Sequence, residues 1–265
     1  GSLKRGGEID YRGDPAGYTL DPQETINYVS KHDNQTLWDI NQYKLAATLS
    51  SAERVRLQLL GLAVPLLSQG VPFIHMGSEI LRSKSMERDS YDSGDWFNAL
   101  DFGDQDNNWN KGLPRQDKDG DNWPLIRQII ADPNAKPGSA DILAAKRQFL
   151  ELLQIRSSSP LFQLASTKEI NKRLRFHNTG PNQLPGVIAF SLDDSPQAGR
   201  DLDPEHQALM VILNASPEPV SLPAALPGFS LHPVLGNSSD GRNREARVAD
   251  GQFQVPGLTV AVFVQ

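Results

Sequence analysis

Asn27-Tyr28-Val29-Ser30-Lys31-His32-Asp33-Asn34-Gln35-Thr36-Leu37-Trp38-Asp39 sets a short apolar run directly against His-Asp-Asn, a cluster of ionisable and hydrogen-bonding groups. Ile26 to Ser30 reads as a short buried strand whose carboxyl end delivers His32, Asp33 and Asn34. Beyond it, Lys44 to Leu49 and then Ala52 to Ser68 carry apolar residues at spacings of three and four. The second of these stretches is predicted to be a helix, bent or ended near Pro65. Gly70 suits the end of that helix, and Val71 to Gly77 is expected as a second buried strand, with Pro72 tolerable only near its start. Strand, helix, strand implies a parallel crossover. In parallel α/β folds the carboxyl ends of the strands face the ligand-binding side, so Asp33 is the first residue to weigh.

Outward from this core the pattern changes in both directions. Residues 1 to 25 are rich in Gly, Pro, Asp and Glu without helical or alternating periodicity, and are expected to form a surface connection. Residues 78 to 137 are rich in Asp, Asn, Gly and Trp with little periodicity, far longer than an ordinary connection, which points to a functional loop. Helical spacing returns at Ala140 to Ile155. After Ser157-Ser158-Ser159-Pro160 come short β-prone runs at Lys168 to His177, Gly186 to Leu192, Ala208 to Leu213, Phe229 to Leu235 and Phe253 to Val264, divided by Gly, Pro, Asn and Asp. They predict a separate antiparallel β domain.

The 265 residues are 38% hydrophobic and 22% charged, a globular composition with room for one large or two ordinary domains. A net charge of −6 weakens the case for nucleic acid or an anionic membrane as partner, since both reward clustered Lys and Arg. There are no cysteines, which removes disulfides, thiol catalysis and zinc-thiolate sites. The longest apolar run, near Leu59 to Leu67, is too short and interrupted to span a bilayer. No signal-peptide order opens the sequence, and the compartment stays open.

Three strings carry a family resemblance: the Asn27 to Asp39 segment, Gly77-Ser78-Glu79-Ile80-Leu81-Arg82-Ser83-Lys84-Ser85, and Arg88-Asp89-Ser90-Tyr91-Asp92-Ser93-Gly94-Asp95-Trp96-Phe97-Asn98. The chain resembles the pullulanase and limit-dextrinase group of the α-amylase superfamily, glycoside hydrolase family 13. The resemblance implies the last two βα units of a TIM (β/α)8 barrel over residues 1–157, with the long loop at 78–137, and an antiparallel β-sandwich over 158–265. It also implies that the nucleophilic Asp and the acid/base Glu, carried by family members on barrel strands 4 and 5, lie upstream of these residues. Retaining hydrolysis needs both carboxylates about 5 Å apart, so the isolated chain is expected to be inactive.

On spacing alone Asp33 serves equally well as a helix N-cap. The resemblance makes it the third carboxylate, which stabilises the transition state, with His32 on the same sugar ring. Asn34 orients Asp33 or closes the turn, and Trp38 is more naturally a packing residue. Arg88-Asp89 alone reads as a surface ion pair, whereas the resemblance gives Asp89 a neighbouring glucose unit. Asp106-Asn107-Asn108-Trp109-Asn110 and Arg115 have the composition of a sugar-binding loop and, equally, of loop-folding residues. Asp117 to Asp121 looks faintly like a calcium loop but lacks the closing Glu and has its Gly too early. Glu79, after the second strand, is expected to support its loop rather than to act as the acid. The other histidines show no metal-like spacing.

Together these readings describe part of an α-1,6-glucosidase acting on pullulan and branched dextrins. No metal site and no required cofactor are expected, calcium being conceivable only in the intact enzyme. Its partners would be the α-glucan and the upstream barrel portion. For the intact enzyme the resemblance leans toward an extracellular or periplasmic setting. The alternative is a non-catalytic glucan-binding or scaffolding fragment.

Overall fold

The computed structural model describes residues 4–224 and 227–265. The first three residues of the connection expected over 1–25 lie outside the described residues. The rest of it is mostly exposed and holds a small hairpin, β1 (Asp10–Tyr11) against β2 (Asp14–Pro15). The chain then forms β3 (Ile26–Asn27), α1 (Leu37–Lys44), α2 (Ser51–Leu67) and β4 (Val71–Pro72). β3 and β4 pair in parallel, Ile26 beside Val71 and Asn27 beside Pro72. Gly70 makes this return possible: its φ is +91°, and a Cβ there would sit 2.4 Å from Thr25 Oγ1.

The two strands are shorter and more exposed than a buried-strand reading predicts. Ile26 is 62% exposed and Phe73, just past β4, is 51% exposed. The physical reason is local: among the described residues this sheet has two strands only, so nothing flanks them to extend the ladder. A second correction concerns α1, absent from the periodicity reading, which placed helical spacing at Lys44 to Leu49 instead. Thr36 caps α1 by accepting from the Asp39 backbone N–H at 3.2 Å, and the helix ends at Leu45 in extended backbone.

The long segment is not featureless either. It contains α3 (Gln116–Asp119) and α4 (Trp123–Ile130), and the latter turns Ile126 inward. Next come α5 (Ser139–Ser158), matching the helical spacing there, and α6 (Thr167–Arg173), which replaces most of the strand expected over Lys168 to His177. Ser166 caps α6, and an ion pair between Glu169 and Arg173 one turn apart supports it. Only β5 (Leu174–Phe176) of that run is extended.

The remaining elements are β6 (Val187–Asp193), β7 (Ala208–Asn214), β8 (Val220–Pro223), β9 (Ser230–Leu231), α7 (Pro233–Gly236), α8 (Gly241–Arg244), β10 (Arg247–Ala249), β11 (Gln252–Val255) and β12 (Thr259–Val264). Two compact units result, and α2 and α5 each contribute residues to both. One unit comprises 28–64 and 73–150 and holds the candidate site. The other comprises the described parts of 1–27, 65–72 and 151–265. In it, an antiparallel sheet of order β5-β6-β7-β12-β9 and another of order β10-β11-β8 share one apolar cluster that includes Met210, Ile212, Phe253, Ala261 and Phe263. β7 and β12 are buried at every position, which explains why their sequences read as unbroken apolar runs.

Candidate functional site

The turn that follows β3 delivers His32 and Asp33 to the surface. Asp33 is exposed, and its carboxylate is ion-paired with the Lys31 ammonium and lies 3.5 Å from His32 Nε2. The Lys31 hydrogen bond above all holds the Asp33 carboxyl below its ordinary range, with smaller help from the charges of Lys31, His32 and Lys84. Asn34 sits at φ +59°, a left-handed position that Asn tolerates well, so its backbone closes this turn. Trp38 is fully buried and donates to the Ala135 carbonyl at 3.2 Å, a packing role.

Beneath this turn lies a polar assembly that the sequence did not disclose. Asp39 is completely buried: Oδ1 accepts from Ser83 Oγ at 2.6 Å, and Oδ2 accepts from the backbone N–H groups of Lys84 and Met86 at 2.7 and 3.2 Å. Burial pushes its pKa up to about 6 against the pull of these donors. The bonds hold Ser85 and Met86 in left-handed backbone, φ +50° and +68°, conformations that cost about 1–3 kcal/mol each and persist only when their surroundings impose them. Gly77 starts the same loop at φ +89°, where a Cβ would meet Leu100 at 2.6 Å.

Lys84 is fully buried as well. Its Nζ donates to the His32 carbonyl at 3.0 Å and to Ser90 Oγ at 3.1 Å. Ser90 Oγ in turn donates to Asn98 Oδ1 at 3.3 Å. Arg82 reaches the Asn98 carbonyl at 3.3 Å and donates through Nη1 to the Met76 carbonyl at 3.0 Å and to His75 Nε2 at 3.2 Å. Arg82 has only donors, so His75 accepts at Nε2 and carries its proton on Nδ1, 3.2 Å from Ser30 Oγ. Burial first, and then the nearby Arg82, Lys84 and His32 charges, bring the His75 pKa down to about 4, which keeps the ring neutral.

Asp89 is half-buried, and its backbone N–H donates to Glu87 Oε1 at 2.9 Å. The other oxygen of this buried Glu87 accepts from the Arg115 backbone N–H at 3.2 Å, so one carboxylate that the sequence reading overlooked fixes two predicted site residues. Arg88 is exposed beside Asp89. Arg115 forks onto Asp117 at 3.0 and 2.6 Å and reaches Asp92 at 3.0 Å, a surface ion cluster.

Trp109 corrects an expectation. It is 4% exposed, because left-handed turns at Asn108 and Asn110 fold the indole inward, and it presents no face to a sugar. Its neighbours serve as loop-folding groups: Asn107 donates to the Leu81 carbonyl at 2.7 Å and Asn108 to those of Trp96 and Phe97. Trp96, by contrast, does reach solvent: it is 42% exposed and stacked on Phe97. Among the described residues no group of three or more His, Cys, Asp or Glu side chains is placed to hold a metal, and no helix is long and apolar enough to cross a membrane.

Comparison with known proteins places this assembly in context. Residues 104–265 match the family model for pullulanase-type α-1,6-glucosidases, C-terminal. The chain belongs to this pullulanase-type family. It is 47% identical over 260 residues to the chloroplastic pullulanase 1 of Arabidopsis thaliana, covering 95% of this chain and 27% of that protein. Against the pullulanase of Klebsiella pneumoniae it is 44% identical, covering 99% of this chain and 24% of the relative. It thus spans about a quarter of the length of these pullulanases. The ligand-free structure of PulA from Klebsiella pneumoniae matches at a TM-score of 0.92 and 43% identity over 98% of this chain and 25% of that one. PulA solved as a maltotriose complex gives the same TM-score over 98% of this chain and 28% of that one.

Proposed function

We propose that this chain is the C-terminal part of a debranching enzyme that hydrolyses α-1,6-glucosidic bonds in pullulan and branched dextrins with retention. Residues 1–157 are the last βα units of a (β/α)8 barrel and 158–265 a β-sandwich. The parallel pairing of β3 with β4 around α1 and α2 supports the first assignment, and the two antiparallel sheets over one apolar cluster support the second. The observation that carries the functional reading is the likeness along 98% of the chain to PulA solved with maltotriose, joined to an exposed Asp33 at the carboxyl end of a parallel strand.

In this reading Asp33 is the anionic group that meets positive charge developing on the sugar ring. Its task is electrostatic, and it makes no covalent bond. Its depressed pKa suits that task, since the carboxylate stays ionised. His32 and Asn34 flank the same sugar, while Asp89, Arg88 and Arg115 bind adjoining hydroxyls. The nucleophile and the acid/base, which retention requires about 5 Å apart, belong to the upstream barrel portion. The test is Asp33→Asn in the complete enzyme, assembled from this chain and that portion. We expect kcat on pullulan to fall by about 100-fold or more, whereas turnover within a factor of about two of the parent would overturn the assignment.

A further inference from the structure

Two candidate carboxylates, Asp33 and Asp89, sit on loops 56 residues apart in sequence, and one buried cation touches both loops. We infer that Lys84 is a positioning residue for the candidate site: its ammonium holds the peptide group that leads into Asp33 and the hydroxyl that follows Asp89 at a common point. The inference rests on the reading of Asp33 and Asp89 as glucan-contacting groups.

The geometry carries it in three steps. The His32 carbonyl belongs to the peptide that joins His32 to Asp33, so a donor fixed on it at 3.0 Å limits rotation of that plane and hence the direction in which the Asp33 side chain leaves the backbone. Ser90 Oγ, accepting from the same nitrogen at 3.1 Å, ties down the residue next to Asp89. Lys84 itself cannot drift, because its backbone N–H and that of Met86 are both held by the buried Asp39 carboxylate.

A buried ammonium is costly unless its charge and donors are met. A methionine would fill comparable volume without that cost. What only the lysine supplies is a pair of directed donors, aimed at the two loops that present the site. Burial lowers the Lys84 pKa and the nearby Arg82 charge adds to that, while Asp39, Glu87 and Asp33 favour its charged form.

The experiment uses the complete enzyme, this chain together with its upstream barrel portion, and measures kcat and KM on pullulan and the thermal midpoint for Lys84→Met, Lys84→Arg, Ser90→Ala and Asp33→Asn. Misplacement of a reacting group by about 1 Å costs roughly 100-fold, so Lys84→Met should lower kcat by about that factor. KM should move less than about threefold, the split expected of an interaction realised in the transition state. Ser90→Ala, which cuts one of the two arms, should lose a smaller factor, and Lys84→Arg should retain more turnover than Lys84→Met. In carbon-13-labelled chain the Asp33 carboxyl titration should move upward in Lys84→Met, which a merely space-filling role would not produce. If Lys84→Met does not fold, Ser90→Ala and Lys84→Arg decide. Parental kcat in the folded Lys84 and Ser90 variants, with Asp33→Asn disabled, would overturn the positioning role alone. Parental kcat in Asp33→Asn would overturn the site reading and the positioning role with it.

Discussion

The strand pair β7–β12 and the strand pair β3–β4 solve opposite problems. β7 and β12 are joined by a ladder that runs from Thr259 opposite Asn214 to Val264 opposite Leu209, and every one of their side chains is buried. β3 and β4 meet over two residue pairs only, and their apolar side chains, Ile26 and Val71, face solvent. The first pair has found its burial inside this chain. The second exposes surface of the kind that other strands and helices cover in a complete parallel barrel. Burial and site chemistry are therefore divided: β7 and β12 bury every side chain within this chain, and the loops that follow β3 and β4 carry the groups proposed to meet substrate.

That contrast can be pressed at graded strengths. The largest stability effect should come from Phe263→Ala, which empties a fully buried position shared by both sheets. It should cost about 3–5 kcal/mol in urea unfolding. Arg173→Met should fall in the same region of about 3–5 kcal/mol. It strands the buried Asp194 carboxylate with which Arg173 pairs and abandons the carbonyls of Asp193 and Arg200. A loss below about 1 kcal/mol in either variant would mean that the sheets are less tightly specified than their burial implies.

Next in size is a pH effect centred on the polar assembly. His75 has a folded pKa of about 4 against 6.5 when unfolded. The unfolded chain binds the extra proton between those values, so this contribution is present above pH 6.5 and is lost as pH falls toward 4. Asp39 works in the opposite sense, with about 6 folded against 3.8 unfolded: its folded form holds the proton longer, and its contribution declines as pH rises through that window. His75→Gln should remove only the first slope. Denaturant unfolding at the two ends of the window should then show the variant gaining on its parent at the acid end, and an identical pH dependence would show that His75 is not held neutral.

The smallest effect is the most instructive. Phe73→Ser changes a side chain that is half exposed in the chain as it stands, and should alter its stability by no more than about 0.5 kcal/mol. With the upstream portion present, the same substitution should weaken their association measurably by calorimetry. Equal indifference in both settings would erase the contrast between the two strand pairs.

Sequence alone disclosed the parts governed by local rules. The helical spacing at Ala140 to Ile155, the runs at Gly186 to Leu192 and Ala208 to Leu213, and the parallel return through Gly70 follow from periodicity and glycine geometry. What escaped was set by capping or by distant partners. α1 depends on the Thr36 hydroxyl rather than on an apolar stripe, and α6 on Ser166 and an ion pair within β-prone composition. Trp109 looked like a sugar platform because composition cannot reveal that Asn108 and Asn110 turn it inward. Lys84, Glu87 and Asp39 were hidden for the reverse reason: charged residues read as surface until their partners, as many as 52 positions away, are seen.

The central claim is that this chain supplies Asp33 to a glucan site whose nucleophile and acid/base are carried by other polypeptide. Release of reducing ends from pullulan, measured for the purified chain alone and again after the upstream barrel portion is added, tests it directly. The account predicts no turnover above background from the chain alone and recovery on addition, abolished by Asp33→Asn. Turnover by the chain alone would contradict it.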